Sequence, residues 1–337
     1  MSGANWYYKT PLFKQNLRSK SSAEVPQIFI KYENLQPGGS FKSRGVGNLI
    51  SVKSRNGLNK SHVLSSSGGN AGLAAAVASK QMNLPCTVVV PTSTKQRMVR
   101  KISDNGAKVV IRGSHWKEAD DYLKENYMKK FQEDGTSNPI YVHPFEDPKI
   151  WEGHSTMIYE IMNILQEQNI PVDNVRGIVC SVGGGGLFNG IIRGLEDCGL
   201  AHKIPVIAVE THGCDVLNAS LEAGRPVTLD KITSLATSLG SSYIPQSVFD
   251  NAARYGAKSI VLNDKSVIET CLKYADDFGQ IVEPACGASI HVGYHPELLE
   301  NCLGTFSKED VIVIIACGGS AATFDDLTDA SKRFSAA

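Results

Sequence analysis

The feature that most constrains this chain is the regular exchange of short β-branched runs with helical patterns. QIFIKYE (27–33), HVLSSS (62–67), CTVVVP (86–91), KVVIRG (108–113), GIVCSVG (177–183), PVIAVE (205–210), SIVLND (259–264) and VIVIIACGG (311–319) each read as a strand. Between them lie helical stretches such as AGLAAAVASKQMN (71–83), KQRMVRKISDNG (95–106) and STMIYEIMNILQEQN (155–169). The last places Ile158, Ile161, Met162 and Leu165 at helical spacing. Such alternation predicts an α/β chain whose parallel sheets are covered by helices. The polar, turn-rich FQEDGTSNPIY (131–141) marks the expected hand-over between lobes. The expected division is a larger domain of residues 1–41 and 142–337 around an inserted domain of 42–141.

Charge and composition limit what such a chain acts on. The formal net charge is zero and the pI is near 7.1, so there is no basic surplus for a nucleic acid or an anionic membrane, and a small-molecule partner is favoured. No apolar run reaches the roughly 18 residues of a membrane helix, and MSGANWYYKTPLFK lacks the pattern of a targeting leader, which predicts a cytoplasmic protein. Cysteines 86, 180, 198, 214, 271, 286, 302 and 317 form no C-x-x-C pair and read as reduced thiols, mostly buried.

In open α/β sheets, ligands gather beyond the carboxyl ends of the strands, and four strands here run into unusual loops. After QIFIKYE, the turn QPGGSFKSRG (36–45) leaves Lys42 at a helix start, where the positive helix end makes an amine more available. Taken alone, that residue is equally a surface lysine. SSSGGNAG (65–72) precedes an alanine-rich helix, and its Ser67, Gly68 and Asn70 suit either a carboxylate nest or a plain turn with an asparagine cap. SVGGGGLFNG (181–190) fails the dinucleotide pattern, which needs glycine at Phe188 or Asn189, and lacks the Lys-Ser/Thr ending of a P-loop. Gly183, Gly184, Gly185 and Gly186 remain as a cradle for one phosphate, held by amides through charge-assisted hydrogen bonds more than by the helix dipole. IACGGSAAT (315–323) offers the small groups Cys317 and Ser320, which in isolation read as buried packing.

One phosphate cradle, one amine, one carboxylate nest and a small partner together describe pyridoxal phosphate carrying an amino acid. In SFKSRG, SSSGGNAG, GGGG and CGGS, taken in order from about residue 9 to 325, the chain resembles the serine/threonine dehydratases of the β-family (fold type II) pyridoxal-phosphate enzymes. The match is to their compact catabolic L-serine branch in particular. The resemblance implies two open, twisted, mostly parallel sheets covered by helices, like the tryptophan synthase β-subunit, with the larger domain binding the cofactor. It implies that Lys42 holds the cofactor covalently, that Phe41 covers one ring face and the Ser238 region the other, and that Asn70 bonds the ring hydroxyl. Ser67, Gly68 and Asn70 would take the substrate carboxylate, Gly183 to Gly186 the phosphate, and Cys317 would face the pyridine nitrogen. Glu210, with carbonyls of Gly183, Cys214 and Leu239, is the implied potassium site. A homodimer engaged in amino-acid catabolism and gluconeogenesis is implied as well.

The expected reaction is conversion of L-serine to pyruvate and ammonia, with L-threonine to 2-oxobutanoate as a secondary activity. A roomy pocket beside Gly68 is expected to admit threonine. SAATFDDLTDASKRFSAA leaves room for one helix and for no isoleucine-sensing domain. Serine racemase, another fold type II lyase or synthase, and a non-catalytic sensor of pyridoxal phosphate or an amino acid are the competing readings. A sensor has little use for an imine-forming lysine, and a nicotinamide oxidoreductase is disfavoured by the glycine spacing.

Overall fold

The computed structural model describes residues 6–17, 26–54, 60–135 and 137–335. Among these residues lie ten strands: β1 (Leu12–Gln15), β2 (Gln27–Lys31), β3 (Ser61–Ser65), β4 (Cys86–Val90), β5 (Lys108–Ile111), β6 (Asn138–Val142), β7 (Val175–Ser181), β8 (Val206–Thr211), β9 (Lys258–Leu262) and β10 (Val311–Ile315). They form two sheets, one in each of two compact units. No helix among the described residues is long and apolar enough to cross a membrane.

The first unit comprises Gln36–His154 with residues 6–8. Its sheet runs β5-β4-β3-β6 with every pairing parallel. The five residues of β4 are all buried, as a parallel strand covered on both faces requires. The helix Asn70–Gln81 is alanine-rich because it too is buried nearly all round, packing with Val46, Leu49 and Ile50 of the helix Lys42–Ser54.

The second unit comprises the described residues of Lys9–Leu35 and Ser155–Ala337. Its sheet runs β1-β2-β10-β7-β8-β9, antiparallel only at β1. β10 (VIVII) pairs in parallel with β2 and β7, and all five of its residues are buried. The exposed, antiparallel edge strand β1 is unlike this, and Phe13 on it is 56% exposed. Lys31 at the end of β2 is buried, with Nζ 2.6 Å from a Glu160 carboxylate oxygen and 2.7 Å from the Thr10 carbonyl.

Two expectations need correction. Residues 131–141 are no bridge: the helical run from Trp116 continues to Asp134, and β6 pairs with β3 from Ser61↔Asn138 to Ser65↔Val142. The units divide at 35/36 and 154/155 rather than at 41/42 and 141/142. β6 holds residues up to 142 in the first sheet. Beyond it, the start of the helix Pro148–Glu167 lies so close to the helix Lys42–Ser54 that a Cβ on Gly153 would stand 2.5 Å from the Arg44 carbonyl.

Candidate active site

In the first unit, the candidate residues stand beyond the C-terminal ends of β3, β4 and β6. The turn before Lys42 is closed by the Gly39 amide on the Gln36 carbonyl (2.7 Å) and the Gly38 amide on the Ser43 hydroxyl (3.0 Å). Lys42 is the first residue of its helix. Its Nζ donates to the Pro144 carbonyl at 2.7 Å and stands 4.9 Å from the centre of the Phe41 ring. Phe41 meets the imidazole of His154 edge-on at 4.8 Å. His154 is fully buried, and its Nδ1 accepts the Gly45 amide. Burial, with Lys42 and Arg44 nearby, holds that imidazole neutral, well below its usual pKa.

The loop after β3 is fixed from within. The Ser67 hydroxyl accepts the Gly69 amide at 3.3 Å, and Gly69, not Asn70, caps the helix that begins at Asn70. The cap residue, a glycine, makes no side-chain bond to the helix, and a helix start of this kind suits an anion. The expected room beside Gly68 is absent. A Cβ there would stand 2.4 Å from Oγ1 of Thr94, which enters from the loop after β4 and fills the space.

Behind the loop lies Asp120, which the sequence reading did not single out. Its Oδ1 accepts the hydroxyls of Ser66 (2.7 Å) and Tyr141 (2.6 Å), and its Oδ2 meets the Lys124 ammonium at 2.6 Å. Burial pushes this carboxyl up, but Lys124, Tyr141 and Ser66 together hold it below its ordinary value. Tyr141 leads along β6 towards His143, whose Nδ1 accepts the amides of Phe145 and Glu146. Burial is the main cause that lowers His143 to about 4, aided by Lys124 and Lys42 and opposed by Asp120 and Asp147.

In the second unit, the candidate residues stand beyond β7, β8 and β10. Gly185 adopts φ +78°, a left-handed conformation suited to glycine, and caps the helix Gly186–Asp197 without any side-chain cap. A Cβ on Gly185 would be 2.4 Å from Cγ2 of Val248, and one on Gly183 would be 2.9 Å from the Leu239 backbone. Gly183 and Gly184 are partly exposed, while Gly185 and Gly186 are buried. Ser238 lies exposed in the single turn Thr237–Leu239. The segment leading to it is tied down by Asp264, which accepts the Ser234 hydroxyl (2.6 Å) and the Leu235 amide (2.8 Å).

Glu210, at the end of β8, is fully buried. Its two oxygens accept the amides of Leu217 (2.9 Å) and Asn218 (2.8 Å) at the start of the helix Val216–Ala223. Burial dominates and pushes this carboxyl up to about 8. Thus the implied cation ligand also ties down a helix start, which the sequence did not reveal. Cys214 is buried, its thiol pushed up to about 11 chiefly by burial. Cys317, 3% exposed, has its sulfur 3.3 Å from the Ser181 hydroxyl. Cys286, buried and hydrogen-bonded to Cys317, is held as a neutral thiol well above its usual pKa.

The residues of each unit fit the expected cofactor. The glycine run at the start of the helix Gly186–Asp197 suits a phosphate, because such a helix start presents backbone amides to an anion; the Cβ clashes at Gly183 and Gly185, with Leu239 and Val248, add a packing reason for glycine. Cys317 presents a sulfur partner for a ring nitrogen, and Lys42 presents a primary amine at a helix start. Residues 4–318 match the family described as Pyridoxal-phosphate dependent enzyme. A "Catabolic L-serine/threonine dehydratase" of Saccharomyces cerevisiae is 55% identical over 329 residues, covering 96% of this chain and 90% of that protein. The crystal structure of a fungal L-serine ammonia-lyase from Rhizomucor miehei superposes with a TM-score of 0.87 at 29% identity, covering 98% of this chain and 99% of that one. Maize serine racemase superposes with a TM-score of 0.80 at 21% identity, covering 99% of this chain and 94% of that one, a likeness of fold. With its lysine, its glycine cradle and a match over most of its length, this chain belongs to the family of pyridoxal-phosphate dependent enzymes.

Proposed function

We propose that this chain is an L-serine ammonia-lyase, a serine/threonine dehydratase that converts L-serine to pyruvate and ammonia and L-threonine, more slowly, to 2-oxobutanoate. The observation that carries this reading is the placement of Lys42: a single amine at a helix start, beyond a Gly-Gly turn, oriented by the Pro144 carbonyl at 2.7 Å. The bound cofactor supplies an electron sink conjugated to the substrate amine, which acidifies the Cα–H bond. Lys42 would hold the cofactor, and its amine would take the Cα proton as general base. Ser67, Gly68 and Asn70 hold the substrate carboxylate at the start of the helix Asn70–Gln81, and Asn70 also bonds the ring hydroxyl. Gly183 to Gly186 hold the phosphate through backbone amides. Phe41 and the Ser238 region are the segments assigned to the cofactor ring. Cys317, a weak partner rather than a carboxylate, would be the residue offered to the ring nitrogen.

Elimination is favoured over racemisation by the 55% identity to a catabolic L-serine/threonine dehydratase. The test is turnover of L-serine by the purified, cofactor-loaded chain, with pyruvate and D-serine measured together. Pyruvate as the main product supports the lyase, and D-serine as the main product supports the racemase.

The finer assignments are proposals of the same kind. A potassium ion beside Glu210, with carbonyls of Gly183, Cys214 and Leu239, is supported by the buried carboxyl, which a cation would return to its ionised form. Activity then rises when sodium is exchanged for potassium, and equal rates in both salts remove the site. A cytoplasmic location is supported by eight free cysteines, which suit a reducing compartment. A homodimer is supported by the exposed Phe13 on edge strand β1, and light scattering that returns the monomer mass at working concentration rules it out.

A further inference from the structure

We propose that Asp120 is a positioning residue for the loop Ser66–Asn70, setting the affinity for the substrate carboxylate without touching it. The inference rests on the proposed role of that loop. Asp120 lies on the helix Trp116–Leu123, 54 positions from Ser66 and 21 from Tyr141, so no local motif announces the link.

Three observations carry it. First, Asp120 is 3% exposed, and a buried carboxylate is retained only where its oxygens are satisfied. Here one oxygen takes two hydroxyls and the other an ammonium, so the charge is matched once and hydrogen-bonded twice. Second, the two hydroxyls come from the two segments that carry this unit's share of the site. Ser66, itself fully buried, opens the loop that continues through Ser67, Gly68 and Asn70. Tyr141 stands on β6, three residues before Pro144, whose carbonyl orients Lys42. Third, hydrogen bonds to an ionised acceptor are stronger and shorter than neutral ones, and both contacts, at 2.6 and 2.7 Å, lie in that range.

The loop contains the 3.3 Å bond from the Gly69 amide to Ser67 and a 3.5 Å contact from the Ser67 amide to Ser65, both longer than the contact with Asp120. The charge-assisted bond from Ser66 to Asp120 is the short one, and it reaches outside the loop. Asp120 therefore fixes where the Ser67 to Asn70 amides point, and a carboxylate bound there inherits that alignment.

The experiment uses the cofactor-loaded full chain with Asp120→Asn, Ser66→Ala and the double variant. Asparagine keeps the shape of Asp120 and removes its charge, while Ser66→Ala removes only the contact from the loop. Each single variant should raise KM for L-serine by about tenfold, the scale of one charge-assisted hydrogen bond, and change kcat less than about threefold. The two changes act through one bond, so the double variant should be within about twofold of the worse single. Hydrogen exchange at the amides of residues 66–71 should quicken in both singles, while exchange in the helix Lys42–Ser54 stays as in the parent. Unchanged exchange at 66–71 in both variants overturns the proposal whatever the kinetics, and so do KM effects that multiply. Should the parent fail to deaminate L-serine, the proposed function falls, and the exchange measurement still decides for or against Asp120.

Discussion

Replacing Gly185 by alanine tests the phosphate cradle without touching any side chain thought to react. Two costs can be read from the structure. The residue sits at φ +78°, where an L-residue loses about 1–2 kcal/mol. The new Cβ would also stand 2.4 Å from Cγ2 and 2.7 Å from Cγ1 of Val248, which is fully buried, and such overpacking costs about 1–3 kcal/mol. The sum is about 2–5 kcal/mol of stability, measured by urea unfolding of the full chain without added cofactor. Cofactor titration should show affinity lowered by roughly tenfold or more, because the strain falls on the first amides of the helix Gly186–Asp197. Val248→Ala provides the control. Alone it costs roughly 2 kcal/mol or more through the cavity it opens. Combined with Gly185→Ala, it should return the overpacking share, about 1–3 kcal/mol, and leave the backbone strain in place. A Gly185→Ala protein as stable as the parent, with unchanged cofactor affinity, would refute both the strain and the cradle. Strict additivity of the two substitutions would refute the contact.

Other outcomes follow from individual contacts. Lys31→Met removes the ammonium paired with the buried Glu160 carboxylate and should cost about 3–5 kcal/mol, while Lys31→Met with Glu160→Leu should recover most of it; equal stability of the single and the double would contradict this. His143, lowered to about 4 from 6.5, binds its proton more weakly in the folded than in the unfolded chain, so stability is lost as pH falls through this window. His143's own share of the loss at pH 5 relative to pH 7 should be about 2 kcal/mol and should be missing in His143→Asn, which keeps an acceptor for the Phe145 and Glu146 amides, while the share of other buried imidazoles such as His154 remains; equal pH profiles would exclude it. Gly68→Ala collides with Thr94 and should lower activity towards serine and threonine alike by about tenfold or more, with recovery on adding Thr94→Ala. Full activity of the single variant would show that Thr94 does not fill that space.

β4 and β10 were legible because all five residues of each are buried and read as the continuous apolar runs CTVVV and VIVII. β1 and β6 were not, for opposite reasons of composition. LFKQ buries one residue fully and pairs on one side only, so it carries no alternation long enough to detect. NPIYV contains Pro139, which reads as a strand breaker but which the edge position in its sheet tolerates. The candidate site divides in the same way. Lys42 and the two glycine loops announce themselves because backbone approach and helix starts demand particular residues in sequence. Asp120, Thr94, Val248 and Asp264 act through space on those loops, at separations from 26 residues (Gly68 to Thr94) upward, and their neighbours in sequence resemble any surface helix or turn. Gly68 shows the consequence. Its missing side chain was expected to leave space, and the next loop fills it.

The claim on which the rest depends is that Lys42 carries the cofactor and removes the Cα proton of L-serine. Absorption of the purified, cofactor-loaded protein in the visible region, followed before and after L-serine is added, tests it most directly when parent and Lys42→Ala are run side by side. The parent should show an imine band that changes on addition of L-serine while pyruvate accumulates. Lys42→Ala should bind the cofactor through the glycine cradle, lack the resting band and form no pyruvate. Pyruvate formation by Lys42→Ala at the parental rate would contradict the account.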